Sequence, residues 1–205
     1  MKNKLFPQLF IIYLRYLIGF AFVFASIVKI QGLRFTADSG AENPINTAWH
    51  FFETMYQSGI YWKFVGFGQL VAGLLLMTQK YAKLGAILFL PIILNIFVIT
   101  ISYDFRGTPF ITGSMLLANI LLIVWDWDTL KVLFNKQPVF PKKDRIENNS
   151  IWIILGVLFF ILTIFAKLVI SSSSLLIIAL CFLIIGLLGL IIGIRRNKKL
   201  RFRTN

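Results

Sequence analysis

The sequence predicts an all-α membrane protein with six spans, arranged as a four-helix transmembrane bundle plus a C-terminal two-helix transmembrane hairpin. Of its 205 residues, 58% are hydrophobic and only 14% are charged, whereas about a quarter of a soluble domain is charged. Six apolar runs approach the roughly 20 residues that cross a bilayer. Basic residues concentrate in alternate gaps between these runs. The runs are 9–31, 62–79, 84–102, 109–127, 151–169 and 175–194.

The distribution of basic residues predicts that both termini are cytoplasmic (N-in/C-in). Fifteen of the 21 lysines and arginines precede the first run, follow the sixth, or lie between the second and third or the fourth and fifth. Loops rich in Lys and Arg stay on the cytoplasmic side. The net charge of +13 is therefore explained without nucleic acid as a partner. We expect a multi-pass protein of the bacterial cytoplasmic (inner) membrane.

Composition divides the chain into four parts. Residues 1–134 form the four-helix unit, because its spans carry polar residues among the apolar ones. Residues 135–150, with two prolines and a run of charges, form a cytoplasmic linker. Residues 151–194 form a nearly apolar hairpin that turns at Ser171–Ser174. Residues 195–205 form a basic cytoplasmic tail that attracts anionic lipid headgroups.

The gap between the first two spans, residues 32–61, is the one long external loop, and we expect an amphipathic helix at 45–58. Asn43-Pro44 is typical of an N-cap followed by proline at the first helical position, and Gly59 is a typical helix end. The helix could simply cover the bundle, or it could act as a lid over a ligand. Its apolar stripe would consist of Ile45, Trp49, Phe52 and Tyr56.

Polar and small residues follow one face of three predicted spans. Their spacing of three, four or seven residues places them on the same side of a helix. Small residues let helix backbones approach closely in lipid, and polar groups there need partners. We therefore expect these faces to meet inside the four-helix unit. The residues are Arg15, Gly19, Phe22, Ser26 and Lys29 in the first span, Gly66, Gln69 and Gly73 in the second, and Thr112, Asn119 and Asp126 in the fourth.

The polar residues fall into two groups at different depths. Near the cytoplasmic end, Arg15 either pairs with Asp126, as a structural contact, or extends to the headgroups. Near the external end we expect a polar pocket that opens outward under segment 45–58. There Lys29 could pair with Asp104 or Glu53, hold an anionic or carbonyl-bearing ligand, or extend to the surface. The pocket candidates are Lys29, Gln69, Asn95, Asp104, Arg106 and Asn119.

Two further residues interrupt the apolar runs. Pro91 removes one backbone hydrogen bond from the third span and predicts a kink beside Asn95. The kink could serve packing or a site. Lys167 lies near the outer end of the fifth span without polar neighbours in the sequence. We expect its ammonium to reach the headgroups.

The sequence suggests neither an intrinsic redox centre nor a metal site. His50 is the single histidine and Cys181 the single cysteine, so one chain can form neither a bis-histidine haem site nor an internal disulfide. Phosphate-binding Gly-rich loops and His-paired serines are also missing from the pattern. Catalysis at the outer face would depend on His50 as a general base, with Glu53 and Asp104. Whether the chain is an enzyme stays open.

The first four spans resemble the DoxX-like family of small bacterial integral membrane proteins. The matching stretches are Leu14–Phe20, Phe22–Lys29 and Gln69–Leu76. The family pattern has Arg, Gly, Phe and Lys at these places in its first helix, and an acidic residue, small residues and a leucine run in its second. The resemblance covers about residues 8–130. The chain departs from it at Ala25 and Gln69, where relatives carry His and Glu, so two titratable groups are lost.

The resemblance implies a link to membrane oxidoreductase complexes, among them thiosulfate–quinone oxidoreductases. We therefore expect an accessory or anchoring subunit, with a membrane or soluble redox partner, that holds a quinone-like lipophilic ligand between the first four spans. One alternative is a small-molecule transporter or channel lined by buried amides and Lys29. A second is a membrane enzyme that acts at the outer face.

Overall fold

The computed structural model describes residues 4–139, 145–169 and 175–203. Within these ranges the chain forms helices and turns without a β-strand. Short 3₁₀ turns occupy Lys131–Phe134 and Ile146–Asn148. In chain order the helices are α1 (Leu5–Ile30), α2 (Ala48–Gln57), α3 (Ile60–Met77), α4 (Ala82–Ser102), α5 (Thr108–Trp125), α6 (Trp127–Leu130), α7 (Ser150–Val169) and α8 (Leu175–Arg203).

Five of the described helices, α1, α3, α4, α5 and α7, are long and apolar enough to cross a membrane. Large apolar side chains such as Leu17, Phe67, Phe110 and Ile154 are exposed on their outward faces. Only 22% of the most apolar stretch of α5 is buried. Soluble proteins rarely expose apolar surface so extensively, so this is a helical membrane protein.

The last helix differs from the predicted sixth span. It continues to Arg203, beyond the predicted end at 194, and its apolar part among the described residues is Leu180–Arg195. The sixth span and the side of each terminus stay predictions. The serine turn Ser171–Ser174 lies outside the described residues, as do residues 140–144 of the linker.

Helix α1 is shared by two hydrophobic clusters. One cluster joins α1 to α3, α4 and α5, and the other joins it to the end of α3 and to α7. The first contains Ile18, Phe22, Leu76, Phe89 and Leu122. The second contains Ile12, Tyr16, Met77, Trp152 and Phe159. Because both clusters include α1, the N-terminal unit and the C-terminal helices are packed against a common element.

Helices α1 and α3 approach each other at glycines. A Cβ atom added at Gly73 would lie 2.8 Å from the carbonyl oxygen of Gly19, and one at Gly66 would lie 3.0 Å from that of Ser26. These separations are too short for a side chain. The small residues predicted to face one another therefore do so, and they set the distance between the two backbones.

The C-terminal helices are bonded directly to α1. The Tyr16 hydroxyl donates to the carbonyl of Trp152 in α7, and the Tyr13 hydroxyl donates to the carbonyl of Gly186 in α8 at 2.6 Å. Gly156 lies against the Met77 carbonyl with no room for a Cβ atom. Tyrosine hydroxyls buried among apolar residues need such acceptors.

Helix α2 begins later than predicted. Its N-cap is Thr47, whose hydroxyl accepts from the backbone N–H of His50 at 3.4 Å, whereas Asn43-Pro44 belongs to the preceding turn. The Thr47 N–H is bonded to the Pro44 carbonyl at 2.9 Å, which closes that turn before the helix starts. Ile45 is therefore outside the helix and 81% exposed. Gly59 follows the end of α2 as expected, and its φ of 60° is a positive backbone angle that favours glycine.

Alanine at two glycines of α3 should have opposite effects on stability. Gly73→Ala should lower the free energy of unfolding by about 1–3 kcal/mol, because the new methyl group meets the α1 backbone. Gly68→Ala is the matched control, since its Cβ would lie 3.4 Å from the Ile92 side chain and alanine favours helix. Thermal unfolding in mild detergent measures both, and equal melting temperatures would contradict the close approach.

Candidate functional site

A cavity of about 820 Å³ lies between α1, α3, α4 and α5, toward the end of the bundle where α1 finishes. Its size falls within the roughly 300–1,000 Å³ of known ligand sites. Most of its walls are aromatic or aliphatic, and the polar exceptions are few. The apolar lining includes Phe22, Phe24, Trp62, Phe64, Ile96, Ile99 and Met115.

The segments outside the bundle cover this cavity with aromatic side chains. Phe52 of α2 packs on Phe35 and on Phe105, with ring centroids 5.8 and 5.2 Å apart. The ring centroids of Trp49 and Phe105 lie 5.3 Å apart. Phe35, Phe52 and Phe105 all line the cavity. Helix α2 therefore forms its cover, in the place expected for segment 45–58.

The cover is fastened by Glu53. Arg34 donates to its two carboxylate oxygens at 2.8 and 3.0 Å, the Gly40 N–H donates at 3.3 Å, and Gln57 donates at 3.2 Å. The hydrogen bonds from Arg34 lower the pKa of Glu53 to about 2. Glu53 is thus an anion with both oxygens occupied, and it is available neither as a general base nor as a partner for Lys29.

Lys29 lies in the cavity wall and is 6% exposed. Its ammonium donates to the Ala25 carbonyl at 2.9 Å and lies 4.9 and 5.0 Å from the ring centroids of Phe35 and Trp62. It forms no ion pair with the described residues. Neither expected carboxylate partner reaches it, because Arg34 holds Glu53 and Asp104 is exposed.

Two amides line the cavity as expected. Gln69 is 2% exposed, and its side-chain oxygen has no hydrogen-bond partner within the described residues. Asn95 lines the cavity but has an exposed side chain, one turn after the exposed Pro91. Helix α4 continues through Pro91. The amides of Gln69 and Asn95, both pocket candidates from the sequence, thus lie in the cavity wall.

Three other pocket candidates lie outside the cavity lining. Asp104 and Arg106 are exposed in the turn between α4 and α5, where φ values of 45° and 29° reverse the chain. Asn119 is fully buried and donates to the Ala86 carbonyl at 3.1 Å, so it ties α5 to α4. On α5 the last residue that lines the cavity is Met115, one helical turn before Asn119.

Two polar features of the cavity were not anticipated. The hydroxyls of Thr100 and Thr112 lie 2.9 Å apart and join α4 to α5 at its wall. The ammonium of Lys167, a half-buried residue, lies 4.4 Å from the ring centroid of Phe24, and Lys167 also lines the cavity. Spacing along α7 gave no indication of this, because the contact depends on how α7 packs against α1.

A buried ionic cluster occupies the other end of the bundle and contains Arg15, Gln79, Asp126, Arg145 and Glu147. Arg15 donates to Asp126 at 2.7 Å, to Glu147 at 2.8 Å and to Gln79 at 3.1 Å. Arg145 donates to Asp126 at 3.0 Å and to Glu147 at 3.2 Å. Two cations face two anions, so the cluster has no net charge. Arg15 thus meets Asp126 directly and does not extend to the headgroups.

Sequence reasoning missed three members of this ionic cluster. Arg145 and Glu147 belong to the linker, where basic residues suggested only a cytoplasmic position. The available signal was one acidic residue, Glu147, two positions after Arg145 and just before an apolar run. Gln79 gave no signal, because its role depends on a left-handed turn with φ of 59° after α3.

The residues proposed for outer-face catalysis do not form a bonded set. Glu53 is bound by Arg34, Asp104 is exposed, and the Nδ1 atom of His50 is buried without a partner in the described part of the chain. Among the described residues no three His, Cys, Asp or Glu side chains gather to hold a metal ion. Of the three residues, Glu53 is shown in a bonded role, the ion pair with Arg34 that holds α2.

Comparison with known proteins finds a similarity to a bacterial protein. A Bacillus subtilis protein described as the uncharacterized protein YwoB is 30% identical to this chain over 102 residues. The aligned part is 50% of this chain and 64% of that protein, so the chain spans less than two thirds of its relative. No family model and no solved structure matches the chain.

Loss of one charge should destabilise the ionic cluster strongly. Arg15→Met should lower the free energy of unfolding by about 3–5 kcal/mol, because Asp126 and Glu147 then share a single cation. Adding Glu147→Gln should recover part of the loss, because it restores the charge balance. Thermal unfolding in detergent measures the series, with Lys136→Met at an exposed site as the control. A wild-type melting temperature for Arg15→Met would rule out this role.

The fastening of α2 should weaken in acid. The pKa of Glu53 is lowered from its usual 4.5 to about 2, so its contribution to stability is complete above pH 4.5 and is lost as the pH falls toward 2. The melting temperatures of wild type and Glu53→Gln should therefore differ at neutral pH and converge over that interval. A difference that stays constant down to pH 2 would contradict this assignment.

Proposed function

We propose that this chain is a DoxX-like polytopic protein of the bacterial inner membrane that acts as an accessory or anchoring subunit of a membrane redox complex and holds a quinone-like lipophilic ligand. The observation that carries the proposal is the cavity of about 820 Å³, with its apolar walls and few polar groups. Sites for small lipophilic molecules typically combine such walls with a small number of orienting polar atoms.

The polar atoms of the cavity are complementary to an oxygen-bearing head group. The Lys29 ammonium donates only to Ala25 among the described residues, so donors remain for a ligand carbonyl. The side-chain oxygen of Gln69 is an acceptor without a partner in the described chain. A carbonyl in an oxidised ligand and a hydroxyl in a reduced one supply what these two groups lack. The aromatic walls suit a ring and its apolar tail.

The state of the charged residues favours a binding role over a catalytic one. Glu53, Asp126 and Glu147 are all held in ion pairs. A general base must be free to accept a proton within reach of a substrate. These carboxylates lie at the cover and in the ionic cluster, where they stabilise the helices around the cavity.

The arrangement of helices supports six spans with cytoplasmic termini. Helix order brings Lys4, Lys80, Lys131 and Arg195 to one end of the bundle, whereas Arg34 and Lys63 are at the other. Such asymmetry orients membrane proteins. Helix α8 has 29 residues, which is more than one crossing requires.

Filling the cavity should displace the ligand. The protein purified in mild detergent should carry a quinone-like lipid and copurify with a redox subunit, both detectable by mass spectrometry. Ala21→Phe, which adds a ring to the cavity lining, should reduce the bound lipid by at least about tenfold. Leu17→Phe on the exposed side of α1 should have no effect.

The two parts of the proposal fail separately in this experiment. Purification of the wild type without any lipophilic ligand would contradict the role of the cavity. A bound ligand without a copurifying protein would contradict the role as a subunit.

A further inference from the structure

The charges that line the cavity are all positive. Lys29 from α1 and Lys167 from α7 both belong to the lining, and no aspartate or glutamate of the described chain does. The acidic residue of α2, Glu53, is already paired with Arg34. The cavity therefore carries two cations without a compensating anion from the described residues.

Both ammonium groups have hydrogen-bonding capacity to spare. An ammonium has three donors, and Lys29 uses one of them on the Ala25 carbonyl. Lys167 contacts the Phe24 ring and forms no ion pair with a described residue. Aromatic rings attract cations through their faces, but they accept no conventional hydrogen bond. The two groups thus offer several N–H donors to a ligand.

Burying the Lys29 cation in a largely apolar cavity within the membrane is unfavourable unless it is neutralised, and the half-buried Lys167 adds a second positive charge to the same lining. The protein shows the usual solution at its other end, where the ionic cluster balances each arginine with a carboxylate. At the cavity the two lysines have no carboxylate partner among the described residues. An anionic head group on the ligand would supply the missing negative charge, and a neutral head group would not.

We propose that the ligand of this cavity is a single-chain amphiphile with an anionic head group, a carboxylate or a phosphate monoester, held between Lys29 and Lys167. The inference rests on the proposed ligand-holding function and adds the charge of the head group. The apolar chain lies along the Phe, Ile and Met side chains of α1, α3, α4 and α5. An uncharged quinone does not belong to this class, so the inference keeps the ligand-holding role of the cavity and replaces the quinone-like head group by an anionic one.

The test compares probes that share an 18-carbon monounsaturated chain and carry anionic or neutral head groups. The full chain is placed in nanodiscs of zwitterionic lipid, and binding of radiolabelled oleate, oleyl alcohol and oleoyl lysophosphatidate is measured against empty nanodiscs. Oleate should bind at least about tenfold more tightly than oleyl alcohol, as expected for a charge pair shielded from water. Lysophosphatidate, the second anionic probe, should also bind more tightly than oleyl alcohol, because the proposed site recognises head-group charge rather than the shape of a carboxylate.

Lysine variants identify the source of the preference. Lys29→Met and Lys167→Met should each lower oleate affinity by about tenfold and leave oleyl alcohol unchanged. Lys63→Met is the matched control, because Lys63 is exposed near the same end of the bundle and is not part of the lining. Its variant should bind like wild type. Equal melting temperatures establish that each variant is folded.

The outcomes separate this inference from the function on which it rests. Equal affinity for oleate and oleyl alcohol, or a preference that survives both lysine substitutions, overturns the anionic head group but leaves a lipophile in the cavity. Absence of binding by every probe and by a neutral quinone overturns the ligand site itself. A loss with Lys63→Met as large as with Lys29→Met overturns the assignment to the cavity, because it shows attraction to general surface charge.

Discussion

The buried charge of Arg15 is the constraint on which the packing of this protein depends. A guanidinium within an apolar helix requires a partner, and its partners come from three separate parts of the chain: Asp126 after α5, Glu147 before α7, and Gln79 after α3. Satisfying this one group therefore fixes the relative positions of α1, α3, α5 and α7. Arg145 then balances the second carboxylate. The C-terminal helices are consequently bound to the N-terminal unit by charge as well as by apolar contact.

Helix α1 has a different task at each end. Toward its start it contributes Arg15 to the ionic cluster, where both arginines and both carboxylates are paired, and Tyr13 and Tyr16 to the contacts with α8 and α7. Toward its finish it contributes Lys29 to a cavity whose polar groups are only partly paired. Unpaired buried polar groups are costly. Near these groups α1 and α3 pack closely at Gly66, where a Cβ atom would meet the Ser26 carbonyl and the Lys29 side chain.

Sequence reasoning predicted the elements better than their contacts. The polar faces of the first, second and fourth spans are buried together because helical periodicity alone determines which residues share a face. Asp104 and Arg106 were misplaced because their turn has left-handed backbone angles that leave them exposed. Asn119 was assigned to the pocket although it lies one turn beyond the lining. Residue spacing predicts which face of a helix is buried, but the position of a site along the helix depends on where the packed helices end.

The sequence by itself determined that the protein is helical and membrane-embedded, because hydrophobicity and charge act locally along the chain. It also predicted, as one alternative, that Lys29 and Gln69 belong to a common polar pocket. Only the tertiary structure decided which charges meet. Glu53 binds Arg34 rather than Lys29, Glu147 joins Arg15 across 132 positions of sequence, and Lys167 reaches the cavity from a helix outside the four-helix unit. Such pairings depend on distances between helices, and these arise from packing that no local pattern specifies.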